Sequence, residues 1–361
     1  MRLNILHVVG ARPNFVKIAP IKRALASTGK VRQQLVHTGQ HYDRALSDDF
    51  FEDLDLAQPD LNLGVGSGPH GVQAGKLMQA LEPVIERFRP SWVFTVGDVN
   101  STLAAALVAA KLQIRVAHVE AGLRSHDWSM PEEVNRVLTD RLSDALFTTE
   151  ASANENLYGE GIPENKVHFV GNVMIDTLDT LLPKAAKLQT ARALGLPEGR
   201  YVLVTLHRPG NVDDSKRLAG VVGALRQIAD VCEGPVVFPV HPRTGRRIRD
   251  NGIEDVLSTI HVLDPLRYLE FLSLMNTAGV VLTDSGGIQE ETTVLGIPCV
   301  TLRPDTERPV TLTEGTNRLF DGDLDLLPEV VLNALQEERR PVRPHLWDGK
   351  AAQRIAAITV S

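Results

Sequence analysis

Val280-Val281-Leu282-Thr283-Asp284-Ser285-Gly286-Gly287-Ile288-Gln289-Glu290-Glu291 is the stretch from which the fold is read. Its β-branched opening predicts a buried strand, Ser285-Gly286-Gly287 a tight turn, and the residues after it a helix running to Leu295. Gly296 stands where a C-cap glycine belongs, Pro298 stops the helix, and Cys299-Val300-Thr301-Leu302 starts another strand. A strand, a Ser-Gly-Gly turn and a helix N-terminus together make an anion site. Glycines let backbone N–H groups approach a phosphate, and the helix dipole favours the negative charge. Glu291 is expected in the first helical turn, where its carboxylate would accept from ribose hydroxyls. The same turn also fits a ligand-free βα connection, so its meaning depends on the rest of the chain.

Working outward, the same strand–turn–helix grammar recurs from end to end. Leu3 to Val9 predicts a core strand, followed by Gly10-Ala11-Arg12-Pro13-Asn14 and a helix with Phe15, Ile18, Ile21 and Leu25 on one side. This first βα turn carries Gly10 alone and lacks G-x-G-x-x-G, which disfavours a tightly held dinucleotide. Arg12 and Lys17 place two cations beside it, although a lysine on a helix is usually solvated. Leu35 to Thr38 predicts a second strand, Gln40-His41-Tyr42-Asp43 a polar loop, and the glycine-rich Gly64 to Gly71 a mobile loop before a helix.

Trp92 to Val96 and Arg115 to Val119 are predicted strands ending at Gly97-Asp98 and at Glu120. Asp98 and Glu120 thus occupy equivalent places, at the edge of an open parallel sheet where ligands bind; for Asp98 a helix cap is an equal alternative. Ser129 with Glu132 fits a capping box, Pro131 suits a first turn, and Glu132 with Arg136 has the spacing of a helix-surface ion pair. The second half starts afresh with Tyr201 to Leu206 and His207-Arg208-Pro209. Both halves therefore open with a strand leading into Arg-Pro, which suggests two similar lobes. A strand ending at His241-Pro242-Arg243 and a helix carrying Tyr268, Phe271, Leu272 and Met275 precede the Ser-Gly-Gly unit. Arg303 to Pro309 comes after it.

The 361 residues suit two domains, and periodicity weakens between residues 183 and 200, among Pro183, Gly195, Pro197 and Gly199. We expect a lobe over 1–182, a second over 200–346, and a C-terminal helix over 347–361 packing back toward the first lobe. The fold class is α/β, two Rossmann-like doubly wound lobes facing a cleft. A net charge of -7 argues against nucleic acid as a partner. No apolar run approaches membrane-spanning length, and the strand beginning at Leu3 leaves no room for a signal peptide, so a cytoplasmic location is expected. Cys232 and Cys299, both in apolar strand-like surroundings, suggest neither a disulfide framework nor a cysteine zinc site. Asp53-Leu54-Asp55 and Asp321-Gly322-Asp323 read as acidic surface turns, so no metal is expected. No tyrosine has a lysine four residues on, which sets aside NAD-dependent sugar epimerisation, and no cofactor is expected. Carboxylates on one lobe, with a phosphate turn, histidines and arginines on the other, suit a nucleotide-linked substrate.

In order along the chain, Gly10 to Pro13, Gly97-Asp98, His118 to Arg124, Pro131-Glu132-Glu133, His207-Arg208, Asp284 to Glu291 and Thr306 to Pro309 resemble the non-hydrolysing UDP-N-acetylglucosamine 2-epimerases. The resemblance implies the glycosyltransferase-B fold, a homodimer and interconversion of UDP-GlcNAc and UDP-ManNAc. UDP would be eliminated to leave a 2-acetamidoglucal, then added back with protonation on the other face. It implies catalytic positions at Asp98, Glu120, Glu132 and His207. It implies nucleotide-sugar contacts at Arg12, Lys17, Arg136, Arg208, His241, Ser285, Gly286, Gly287, Glu291 and Arg308, with Phe271 near uracil. Two departures stand out: Val99-Asn100-Ser101 where many members have a threonine run, and Pro209 where one branch has arginine. Substrate activation is therefore not carried over. His37 to Asp43 resembles a branch containing 2-epimerases of UDP-diacetamido-uronic acids, which stays an alternative. A glycosyltransferase would need an acceptor, and a non-catalytic UDP-sugar sensor has no use for three acids.

Overall fold

The computed structural model describes residues 2–39 and 50–361, so the loop expected at Gln40 to Asp43 lies outside the described residues. The chain divides into two compact units, Met1–Asp179 with His345–Ser361, and Thr180–Pro344. Among the described residues no helix is long and apolar enough to cross a membrane.

The first unit is built on β1 (Leu3–Val9), β2 (Val31–His37), β3 (Leu61–Asn62), β4 (Trp92–Val96), β5 (Arg115–Ala121), β6 (Ala145–Thr148) and β7 (Val167–Phe169). They form one sheet in the order β3-β2-β1-β4-β5-β6-β7, with every pair parallel. Such a sheet is covered on both faces, which is why β4 is buried along its whole length and reads as a continuous apolar run. Helix Arg12–Ser27 buries Phe15, Ile18, Ile21 and Leu25, the stripe its sequence spacing specifies. Helix Ala351–Val360 packs against it. The Asp176 carboxylate accepts from the first two amides of that helix, Ala351 at 3.1 Å and Ala352 at 2.7 Å, satisfying donors that a helix start leaves open. Nearby, Trp347 is buried and donates from Nε1 to the Thr149 carbonyl at 2.8 Å.

The second unit repeats the plan. Its strands are β8 (Val202–Thr205), β9 (Val236–Pro239), β10 (His261–Leu263), β11 (Val280–Thr283), β12 (Cys299–Thr301) and β13 (Asn317–Leu319). Their order is β10-β9-β8-β11-β12-β13, again with every pair parallel. Thus β8 holds the place of β1, and β11 that of β4. In both sheets the strand order reverses direction between these two, and a reversal of this kind is where an open α/β sheet binds ligands.

Several local expectations change. Helix His70–Phe88 already starts inside the glycine-rich stretch, so His70 and Gly71 are helical. Pro183 lies within helix Val173–Leu188 and does not punctuate the chain. Cys232 caps the C-terminus of helix Ser215–Val231 and belongs to no strand. Asp53 is only 4% exposed, so its turn is not simply an acidic surface turn. β3, β10 and β13 are additions to the sequence-based expectation. Each is an edge strand of two or three residues, too short to show a period-2 pattern.

Candidate active site

In the first unit, the turns after β1, β4 and β5 are tied together by side chains. Asn14 accepts from the N–H groups of Gly10 (3.2 Å) and Ala11 (2.9 Å) and donates to the Val96 carbonyl at 3.0 Å, joining the first turn to the end of β4. Gly97 comes next with φ +69°, where a Cβ would lie 3.3 Å from Asn14 Nδ2, 3.6 Å from Glu120 Oε2 and 3.8 Å from Lys17 Nζ. Glycine thus allows both the left-handed backbone and the close approach. Lys17 is buried and makes an ion pair with Glu120, itself 7% exposed; it is not a solvated helix residue. Glu120 has φ +70° at an irregularity in the β5–β6 register. A non-glycine residue in that region costs roughly 1–2 kcal/mol. Strain of this kind persists only where surrounding contacts enforce it.

Asp98 is not a helix cap: the N-cap of helix Asn100–Lys111 is Val99, with no side-chain capping bond. Its carboxylate is bound instead by Arg136, Nη2 to Oδ2 at 2.6 Å, and its carbonyl accepts from Asn135 Nδ2 at 2.9 Å. The capping box expected at Ser129 does not form. Helix Pro131–Leu142 has Met130 as its N-cap, and Ser129 Oγ donates to Asp127 at 2.6 Å. Nor does Arg136 pair with Glu132; its second partner is Glu133. Glu133 also accepts from the Ser125 and His126 N–H groups and from Ser125 Oγ, each at 3.0 Å. Burial alone would raise the Glu133 carboxyl, but these donors and the Arg136 charge hold it below its usual range. Glu132 is half-buried, and its side chain has no hydrogen bond or ion pair among the described residues. Arg12 is exposed, its guanidinium 5.9 Å from the Phe50 ring centroid. The structure thus joins Lys17 to Glu120 and Arg136 to Asp98, and leaves Arg12 and Glu132 outside those pairs.

The second unit gathers its residues around Asp284, which sequence reading places in a motif without a role. It is fully buried at the end of β11. Its carboxylate accepts from the N–H groups of His207 (3.1 Å) and Arg208 (2.9 Å) and from Asn211 Nδ2 at 3.2 Å. His207 Nδ1 lies 3.3 Å from the same carboxylate, and its ring is 6.4 Å from that of His241. His241 is the N-cap of helix Pro242–Asp250, with Nδ1 accepting from the Arg243 N–H at 3.2 Å.

Ser285 is the N-cap of helix Gly286–Leu295, so Gly286 and Gly287, expected in a tight turn, are already helical; Gly296 ends the helix at φ +72°, as the sequence specifies. Ser285 makes no side-chain capping bond, so the first-turn N–H groups are available to an external acceptor. Glu291 sits in the second turn, not the first. It is buried, accepts from Tyr268 Oη at 2.6 Å, and has its carboxyl pushed up to about 7, chiefly by burial. Phe271 is half-buried on helix Tyr268–Thr277.

Arg308 lies against Gly286, where any Cβ would run into its guanidinium. It donates to Glu290 at 2.7 Å and to Glu307 at 3.3 Å. Arg303 also binds Glu307, at 3.0 and 2.8 Å, and Arg208 is 3.7 Å from it. Burial would raise Glu307, but the Arg303 hydrogen bonds and the charges of Arg308, Arg303 and Arg208 hold it well below the carboxylate range. Three arginines therefore share the space beside an uncapped helix start, positioned by acids that sequence reading misses, Glu290 and Glu307. Their only signal is adjacency to the motif residues.

A family model described as UDP-N-acetylglucosamine 2-epimerase matches residues 23–359. The UDP-N-acetylglucosamine 2-epimerase of Methanocaldococcus jannaschii is 43% identical over 364 residues, covering 99% of this chain and 98% of that protein. The UDP-2,3-diacetamido-2,3-dideoxy-D-glucuronate 2-epimerase of Pseudomonas aeruginosa is 40% identical over 356 residues, covering 98% of each. Among solved structures, the M. jannaschii UDP-GlcNAc 2-epimerase in complex with UDP-GlcNAc and UDP superposes with a TM-score of 0.92 at 41% identity, covering 99% of both chains.

Proposed function

The chain belongs to the UDP-N-acetylglucosamine 2-epimerase family, and we propose that it interconverts UDP-GlcNAc and UDP-ManNAc by eliminating UDP and adding it back. It is an isomerase with a fold of the glycosyltransferase-B class. The observation that carries the mechanism is the pairing of two strand-end carboxylates with cations, Glu120 with Lys17 and Asp98 with Arg136. The hydrogen on carbon 2 is only weakly acidic, because its neighbour is an N-acetyl group and not a carbonyl. A base must therefore take it as the bond from carbon 1 to the diphosphate oxygen breaks, giving 2-acetamidoglucal and UDP. For the return, the diphosphate oxygen re-forms its bond to carbon 1 and an acid protonates carbon 2 on the opposite face.

We assign the proton transfers to Asp98, Glu120 and Glu132, with His207 as a fourth participant. Each such group contributes about 10²–10⁴ in rate. The uncapped Gly286 helix, Ser285, Gly287, Arg208 and Arg308 form the cradle that stabilises the departing diphosphate. Glu291 would take the ribose, Phe271 the uracil side, and Arg12 and His241 further contacts to the nucleotide sugar. In this reading the first unit carries the carboxylates and the second binds UDP. The family resemblance adds a homodimer.

Proton NMR of UDP-GlcNAc with the enzyme in D₂O, with no acceptor or NAD, tests the reading. Deuterium should enter carbon 2 of both epimers, and traces of UDP and 2-acetamidoglucal should accumulate. Epimerisation without exchange would overturn the mechanism, and UDP release only with an added acceptor would make the protein a transferase. The P. aeruginosa relative supports a second reading, in which the sugar is a diacetamido-uronic acid. Comparing kcat/KM for the two UDP-sugars decides between them.

A further inference from the structure

His118 lies in the middle of β5 with no exposed surface, two residues before Glu120. Its two ring nitrogens point to different oxygens: Nδ1 is 2.6 Å from Asp140 Oδ1, and Nε2 is 2.8 Å from the Gly97 carbonyl. A carbonyl oxygen only accepts, so Nε2 must carry a proton. Asp140 is also committed as an acceptor. Its Oδ2 receives the Gly122 N–H at 3.0 Å and the Arg124 guanidinium at 2.8 Å. Burial would raise the Asp140 carboxyl, but His118 and Arg124 hold it below its usual range. The Asp140 carboxylate therefore faces His118 Nδ1, the Gly122 N–H and Arg124 at once. The ring is thus fixed at both nitrogens, between the turn after β4 and helix Pro131–Leu142, which carries Asp140.

Arg124 is also bound by Glu160 through two bonds of 2.7 Å.

The two ends of this cluster fall at particular places. Gly97 is the residue immediately before Asp98, and its carbonyl belongs to the peptide plane that sets the entry of the chain into Asp98. Gly122 comes two residues after Glu120, the backbone position with φ +70°. We infer that His118, held by Asp140, acts as a positioning residue for this reaction, fixing the Gly97 turn that carries Asp98 and, through Asp140, the Gly122 turn just beyond Glu120. The inference rests on the proposed roles of Asp98 and Glu120. It differs from them in that neither His118 nor Asp140 touches substrate.

Two measurements test it. His118→Gln keeps one amide donor for the Gly97 carbonyl but loses the ring, and Asp140→Asn removes the carboxylate that holds it. Amide hydrogen exchange at Asp98 and Gly122 should quicken by roughly 10-fold or more in both variants; unchanged exchange overturns the inference whether or not the enzyme is an epimerase. In kinetics, each variant should lower kcat by roughly 10²-fold through misplacement of the acids, with KM and calorimetric UDP affinity near those of the parent. A folded variant with parental kcat, or one that loses UDP affinity as much as kcat, removes the positioning role. Should His118→Gln fail to fold, Asp140→Asn decides both measurements. A parent without epimerase activity overturns the functional reading alone.

Discussion

Arg308 donates from Nε to Oε1 of Glu290 at 2.7 Å while its guanidinium covers the Cα of Gly286 at the start of the helix. One side chain thus meets a fully buried carboxylate and the proposed diphosphate turn at once. Arg308→Ala should therefore do two separable things. Loss of the cation should weaken UDP binding by roughly 10–100-fold and lower turnover as well. Stranding Glu290 should cost about 3–5 kcal/mol of stability. Adding Glu290→Gln should recover much of the melting temperature but none of the UDP affinity. Unchanged UDP affinity by calorimetry in the double variant would remove Arg308 from the cradle.

Glu132 and Glu133 are adjacent, yet they should fail in different ways. With no capping box to lose, Glu132→Gln should melt within a degree or two of the parent. As a proton-transfer group, however, it should lose roughly 10²-fold or more in turnover, because an amide cannot carry the proton. Glu133→Ala strips the partner of Ser125, His126 and Arg136, and should cost about 2–4 kcal/mol along with the hold on Asp98. Normal melting and a normal rate for Glu132→Gln would leave this residue without a chemical role.

Gly97→Ala would put a methyl group at φ +69°, 3.3 Å from Asn14 Nδ2. The backbone strain alone is about 1–2 kcal/mol. The clash must then be relieved by moving Asn14, Lys17 or Glu120. We expect a measurable drop in melting temperature and a kcat loss larger than the stability loss would suggest. A folded variant with parental kcat would show that the approach of these groups to the turn is incidental.

Glu291 ties stability to pH. Its folded-state value, about 7, lies above the ordinary value of 4.5, so the neutral form is favoured by folding. The associated stability is fully present below about pH 4.5 and is lost as pH rises through 7, with an upper bound of roughly 3 kcal/mol. Denaturant unfolding between these limits should therefore show a falling contribution that Glu291→Gln abolishes, since glutamine stays neutral and still accepts from Tyr268. An identical pH dependence in the variant would place the titration elsewhere.

The sequence by itself determined the elements whose signals are local. The strand at Val280, the helix that follows and its stop at Gly296 are set by neighbouring residues, through β-branching, glycine conformation and capping, although the helix begins at Gly286, inside the expected turn. The placing of Asp98 and Glu120 at strand ends was equally legible, because the glycine and polar residues just past an apolar run mark where the strand stops.

Which group each residue meets was not legible. Lys17 and Glu120 are 103 positions apart, and their pairing exists only once β1 and β5 flank β4 in one sheet. The capping pattern at Ser129 falls in the wrong frame. Pro131 takes the first helical position and Met130 the cap, so the buried, multiply bonded acid is Glu133 rather than Glu132. His118 looks like one more residue of an apolar strand; two oxygens from distant segments, on Asp140 and Gly97, hold its two ring nitrogens. Edge strands of two or three residues are invisible in sequence because pairing with a neighbour, not their own composition, makes them strands. Local sequence sets backbone conformation through short-range sterics and propensity. The partners of a buried charge are set by packing, because only the assembled sheet removes water and leaves one set of atoms within hydrogen-bonding reach.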